Sequence, residues 1–183
     1  RLQAADGGWY WKDSDGAVCG GCFFAQPFMV GMLLEGLVAT HQVTGDATVR
    51  ASILQAVDWL WEKGYQRTVP TNMAGSGILW RAMRYFVFED GRNSDRTTAE
   101  AYGQKDGAIR DARQLNPTTL HAFGYAYQLT GDTKYLERGN DIFAATFGKG
   151  QGPGADRYWG LADFRAKEYN QSYRSAGRFL GWR

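Results

Sequence analysis

Three residues whose types serve in proton transfer or charge neutralisation lie near the predicted starts of helices. His121 lies five positions after Asn116, and Tyr173 and Arg174 are adjacent near the C-terminus. A neutral imidazole can remove a proton, a guanidinium can neutralise a carboxylate, and a phenol can protonate a leaving oxygen. These residues are therefore candidates for β-elimination in a chain of uronic acids. The alternative is structural, with His121 buried and the other side chains turned to solvent.

Carboxylates offer a second chemistry, the hydrolysis of a glycosidic bond. Asp156 is the catalytic candidate, and Asp6, Asp13 and Asp15 precede the first predicted helix. A pair of carboxyl groups about 5–5.5 Å apart hydrolyses with retention, and a pair about 6.5–9.5 Å apart with inversion. The sequence does not give these separations, so elimination and hydrolysis both remain open.

Two segments between the predicted helices combine aromatic rings with polar side chains. Sugar rings can stack their C–H surfaces on aromatic faces, while their hydroxyl groups bind carboxylates and amides. The sequence thus predicts a set of substrate-binding residues: Trp9, Trp11, Asp13, Asn116, Tyr158 and Trp159. The alternative is that these rings close the ends of the hydrophobic core, because tryptophan is often largely buried.

An internal repeat supplies the elements that must position these residues. Each copy is an apolar helix, a Thr-Gly-Asp turn and an amphipathic helix, and the two turns occupy residues 44–46 and 130–132. The helices are predicted at about 26–43, 47–63, 117–129 and 133–147. Aligning the turns places Gln42 opposite Gln128 and Glu35 opposite His121. Such a repeat predicts stacked helical hairpins.

Three further segments are predicted to be helical, and no segment shows the alternation of a β-strand. These helices lie at about 74–88, at about 166–181 and, more weakly, at about 96–114. The helix at 26–43 is apolar on all sides, which predicts burial on all sides, and the mostly apolar helices at 74–88 and 117–129 are predicted to be inner helices as well. Glu35 is the one charged residue between Pro27 and Val38, so it requires a partner such as Arg81 or Arg84.

The predicted fold class is all-α, with buried inner helices alternating with outer ones. Antiparallel hairpins of about seven helices form an incomplete α/α toroid or arc, in a single domain over residues 1–183. All inner helices then begin at one end, which also gathers the long loops at 1–25, 64–73, 101–116 and 148–165. We expect the candidate residues at this loop-rich end. The chain begins with Arg1 rather than Met, which indicates a module of a longer protein.

Composition excludes several classes of function. The net charge of +2 over 183 residues does not indicate the basic surface that binds nucleic acid. No apolar run approaches the roughly 20 residues that span a bilayer. The glycine-rich segment Gly148–Gly154 lacks the pattern of a phosphate-binding loop, and no cluster of metal-ligand residues is seen in the sequence. The sequence therefore predicts no cofactor and no metal site. Cys19-Gly-Gly-Cys22 lacks the further ligands of a zinc site and reads as two thiols or a local disulfide. A disulfide favours a secreted or periplasmic location.

The repeat resembles the six-hairpin glycosidase and polysaccharide lyase superfamily over residues 26–65 and 116–147. The resemblance implies a bacterial polysaccharide lyase or glycoside hydrolase with its carbohydrate cleft where the inner helices begin. There His121, Tyr173, Arg174 and Asp156 would be catalytic. The alternative is a non-catalytic module that binds a glycan or a partner, because an incomplete ring needs another domain or chain to cover its apolar helices.

A second resemblance leads to a third interpretation. Gln3-Ala-Ala-Asp-Gly-Gly-Trp9 is similar to the Gln-x-x-x-Gly-x-Trp repeat of terpene cyclases, which are also α/α toroids. Only one copy is present, and Asp13-Ser-Asp-Gly departs from the Asp-x-Asp-Asp acid motif of that family. This departure puts cyclase chemistry in doubt.

Overall fold

A computed structural model describes residues 2–16, 20–66, 82–84, 86–90, 115–147 and 175–183 of the chain. This part is mostly helical, and a single π-helical turn, Leu60–Gly64, extends the second helix. The helices are α1 (Pro27–Thr44), α2 (Ala47–Trp59), α3 (Pro117–Thr130), α4 (Thr133–Phe147) and α5 (175–182). The strands are β1 (Trp11–Lys12), β2 (Phe23–Ala25), β3 (Tyr65–Gln66), β4 (Ala82–Met83) and β5 (Val87–Phe88).

The Thr-Gly-Asp turns form both hairpins by the same local chemistry. Gly45 has a φ of 64° and its amide donates to the His41 carbonyl, which ends α1. The Asp46 carboxylate then accepts from the amides of Thr48 and Val49, which begins α2. Gly131, with a φ of 69°, ends α3 in the same conformation. Glycine adopts left-handed backbone without strain and aspartate is a strong N-cap, so the predicted hairpins are confirmed.

Helix α3 is the centre of the described part of the molecule. Residues 117–126 are all buried, and α3 contacts α1, α2 and α4. Helix α5 also packs against it, with Phe179 and Trp182 beside Gly124. These contacts place α3 at the centre of the main hydrophobic core, which also receives side chains from the other helices.

Helices α1, α3 and α5 run in the same direction. Gly31 lies beside Thr118 near one end of α1, and His41 contacts Tyr125 near the other. Along α5, Ser175 contacts His121 and the Trp182 carbonyl accepts from Gln128. The inner helices among the described residues therefore begin at a common end, as expected. A seven-helix toroid remains a prediction.

The prediction that no segment forms a strand is wrong. Strand β2 pairs antiparallel with β1 and β5, and β3 pairs antiparallel with β4. The predicted helix at 74–88 is accordingly wrong where the structure describes it, because β4 and β5 lie there. Phe86, Val87 and Phe88 are buried β-formers, and tertiary pairing decides their conformation. The weak helix at 96–114 lies outside the described residues.

Burial of α1 on all sides is also wrong. Its face towards α3 is buried, but Met29, Met32, Leu33 and Val43 are 43%, 50%, 42% and 87% exposed. These positions share one side of the helix, since they are spaced by three, four or multiples of a turn. The charge on α1 has a partner, as expected, and the partner that the structure describes is Arg178, with Nη1 3.7 Å from Glu35 Oε1.

Candidate functional site

The structure describes five of the ten predicted site residues. These five are Trp9, Trp11, Asp13, Asn116 and His121, whereas Asp156, Tyr158, Trp159, Tyr173 and Arg174 lie outside the described residues. Asn116 and His121 flank the start of α3. Trp11 belongs to β1, which pairs with the strand that leads directly into α1. The described candidates therefore share the end at which the inner helices begin.

His121 is held by a direct contact with the start of α5. Its ring is fully buried, and Nδ1 lies 2.6 Å from Ser175 Oγ. Ser175 Oγ also accepts from the His121 backbone amide at 3.3 Å, so its hydroxyl proton is available to the ring nitrogen. Ser175 directly follows Tyr173 and Arg174 in the sequence. The contact fixes the orientation of the imidazole.

Asn116 directly precedes Pro117, a pair that favours a capped helix start, but the Asn116 side chain does not cap α3. Its backbone is already helical, with φ −48° and ψ −47°, whereas a capping residue is normally extended. The side chain is fully buried, and its Oδ1 accepts from the Met83 amide at 2.6 Å. Asn116 therefore ties β4 to the start of α3.

Asp13 closes the loop that follows β1. Its carboxylate accepts from the Gly20 amide at 2.9 Å, and its own amide donates to the Cys22 carbonyl at 2.8 Å. Cys22 is disulfide-bonded, and Cys19 is the only other cysteine of the sequence. Asp13 is 4% exposed, so its carboxylate serves the loop and presents little surface to a ligand.

Trp9 and Trp11 are the aromatic candidates that the structure describes. Both are half-buried. Trp11 packs edge-on against Phe24, with 5.1 Å between ring centroids, and Phe24 packs in turn against Phe86. Trp9 packs against the main core. Each residue is therefore anchored by packing and remains partly exposed.

A polar network beside Trp9 was not predicted. Tyr10 donates to Asp6 at 2.7 Å, Lys63 Nζ lies 2.7 Å from the same carboxylate oxygen, and the Trp59 indole donates to the Tyr10 hydroxyl. The Asp6 and Lys63 side chains are partly exposed. No local signal joins these residues, because Lys63 is 57 positions from Asp6.

The network sets the ionisation of its members. Burial raises the pKa of the Asp6 carboxyl, but hydrogen bonds from Lys63, Tyr10 and a backbone amide outweigh it and hold the pKa below its ordinary value. Burial and the adjacent carboxylate raise the pKa of Tyr10, so its phenol stays protonated and donates. The site therefore presents a carboxylate and an ammonium group, both suited to hydrogen bonding with hydroxyl groups.

The Gln-x-x-x-Gly-x-Trp motif ties the N-terminal segment to α2. Gln3 donates to the Gly7 and Ser52 carbonyls, and its Oε1 accepts from the Ser52 hydroxyl at 2.6 Å. Gly7 has a φ of 96°, and a Cβ there would lie 2.4 Å from the Gln55 carbonyl oxygen. The motif is thus explained by packing.

The described residues hold no group of three or more His, Cys, Asp or Glu side chains arranged as a metal site. Within the same ranges, each helix is too short or too polar to traverse a lipid bilayer.

Comparison with known proteins finds no matching family model, no matching curated protein and no matching solved structure. The resemblance to glycosidases and lyases therefore rests on the repeat alone.

Proposed function

We propose that this chain is a carbohydrate-active helical domain that binds a polysaccharide at the end where α1 and α3 begin. The observation that carries the proposal is the common direction of these helices, which gathers His121, Trp11 and the loop of Asp13 at one end. Loops and strand ends held by a rigid helical scaffold are the usual place for a binding site.

The binding part of the proposal depends on Trp9, Trp11 and the pair of Asp6 and Lys63. The accessible surfaces of the two indoles would stack on sugar rings. The carboxylate and ammonium groups of the pair, both partly exposed, would hydrogen-bond to sugar hydroxyls. Trp9→Ala and Trp11→Ala should each weaken binding of an oligosaccharide, as measured by isothermal titration calorimetry. A matched control is Trp182→Ala, at the far end of α5.

The catalytic part assigns elimination to His121, Tyr173 and Arg174. His121 would take the proton from C5 of a uronate, the C4–O bond would break as the C4–C5 double bond forms, and Tyr173 would protonate the leaving oxygen. Arg174 would neutralise the uronate carboxylate. Because His121 is fully buried, this role requires its contact with Ser175 to open when substrate binds. Hydrolysis would instead use Asp156 and a second carboxylate.

The two histidines allow a matched test of this assignment. The full chain is incubated with uronate-containing and neutral polysaccharides, and unsaturated products are followed by their ultraviolet absorbance alongside new reducing ends. His121→Gln should lower kcat by about 100-fold or more. His41→Gln, at the opposite end of the helices and bonded to Tyr125, should leave kcat unchanged. Equal loss in both variants, or no product from any polysaccharide, would contradict the catalytic assignment.

A specific observation favours a second candidate, a non-catalytic module that binds a glycan or a partner. His121, Asn116 and Asp13 are all buried and engaged in contacts within the chain. This candidate predicts oligosaccharide binding that depends on Trp9 and Trp11, with no product released. The disulfide at Cys22 supports a secreted or periplasmic location for either candidate.

A further inference from the structure

Helix α1 presents an apolar face to solvent. We call Met29, Met32, Leu33, Gly36 and Val43 the exposed α1 face. It lies opposite the side of α1 that packs against α3, and a Cβ added at Gly36 would meet no atom of the described residues within 4 Å. None of the five residues is charged. Exposed apolar side chains gathered on one side of a helix are a candidate interaction surface.

The internal repeat identifies what this face is built to contact. With the two turns aligned, Met32 and Leu33 of α1 match Thr118 and Thr119 of α3. Those two threonines lie against Gly31 of α1, where a Cβ would be 2.6 Å from the Thr118 carbonyl oxygen. The position in α3 that meets the preceding inner helix is therefore the position that α1 exposes. The exposed α1 face suits a parallel helix that brings a glycine to the contact.

Helix α5 carries a comparable apolar surface on its side away from α3. Gly177, Leu180 and Gly181 are exposed and share one side of the helix, and we call them the exposed α5 face. A Cβ added at either glycine would meet no atom within 4 Å in the part of the chain that the structure describes, which leaves room for a helix to approach closely. This face also lacks charged residues, and it lies away from the Ser175 and Phe179 contacts with α3.

We infer that the exposed α1 face binds the exposed α5 face of a second copy of this chain. The contact would place α5 of one copy beside α1 of the next, in the parallel direction that α1, α3 and α5 share within one copy. It is heterologous, because two different faces meet, so it produces either closed rings or longer assemblies. Apolar area is buried without desolvating a charge. The inference is independent of the carbohydrate activity proposed above.

Sedimentation equilibrium of the full chain over a range of concentrations tests the inference. The mass of the wild type should rise with concentration above the mass of one chain. Leu33→Glu and Leu180→Glu should each weaken self-association by about tenfold or more, because a charge would be buried without a partner. Both residues are exposed, so folding should persist, as circular dichroism would verify. Asn140→Glu adds the same charge to an exposed position of α4 and should associate like the wild type.

Mixing the two variants distinguishes the two-face contact from any symmetric one. The Leu33→Glu chain keeps an intact α5 face and the Leu180→Glu chain keeps an intact α1 face. An equimolar mixture should therefore form a species of two chains and nothing larger. A wild type that stays at the mass of one chain, variants that associate like the wild type, or a mixture that stays monomeric would each overturn the inference.

Discussion

Two glycines on α1 allow the same substitution to be tested in opposite surroundings. Gly31 faces α3, and a Cβ there would lie 2.6 Å from the Thr118 carbonyl oxygen and 3.1 Å from Thr119 Cγ2. Gly36 lies little more than one turn further along the same helix, with open space beside it. The atom that Gly31→Ala would strike is backbone, so it cannot move aside without shifting one helix against the other.

The two effects on stability should have opposite signs. Replacing an interior helical glycine by alanine gains about 1 kcal/mol from backbone entropy. At Gly31 the added methyl also overpacks the interface, which costs about 1–3 kcal/mol and more where backbone must shift. We therefore expect Gly36→Ala to raise the free energy of unfolding by up to about 1 kcal/mol. Gly31→Ala should lower the same quantity by about 1–2 kcal/mol.

Urea denaturation followed by circular dichroism measures both variants against the wild type. Dilute protein is required, so that self-association through the α1 face does not contribute. The expected gap of about 2–3 kcal/mol corresponds to a difference in Tm of roughly 5–10 °C for a domain of this size. If Gly31→Ala proved as stable as Gly36→Ala, the close packing of α1 on α3 would be refuted, and with it the register on which the self-association rests.

Three further predictions concern the N-terminal segment. Tyr10→Phe should destabilise the fold by about 1–3 kcal/mol, because the buried Trp59 indole loses its acceptor; an unchanged urea midpoint would contradict this. The lowered pKa of Asp6 adds stability above about pH 4 that is lost as the pH falls through the folded value, so Asp6→Asn should differ less from the wild type at about pH 3 than at about pH 7 in thermal unfolding. A difference independent of pH would refute that linkage. Cys22→Ser and treatment with reductant should lower stability equally, by about 2 kcal/mol, and reductant should not destabilise the variant further.

The hairpins could be predicted because their signals are local. A glycine at the end of α1 and an aspartate at the start of α2 act on backbone groups within a few residues, and the repeat supplies the same signals again at α3 and α4. The direction of the inner helices follows from the same short turns. These features depend on covalent neighbours, so they can be read from the sequence.

The strands and the polar network could not be predicted, because their contacts join residues that are far apart in the sequence. Phe24 pairs with Phe88, and Asp6 bonds to Lys63, across separations that carry no periodic pattern. A strand of two or three residues is too short to show alternation, and its conformation depends on the partner it meets. The site residues followed the same division, since their end of the molecule was predictable, whereas the contact between His121 and Ser175 was not.

The sequence by itself determined the repeated hairpins, their turn chemistry and the shared end of α1 and α3. Only the tertiary structure decided that Asn116 binds the Met83 amide, that Arg178 contacts Glu35, and that one apolar side of α1 faces solvent. Local backbone rules act within a turn of helix, so the chain encodes them directly. The partner of a side chain and the covering of a face depend on which distant segments pack together, and only the folded chain brings those segments into contact.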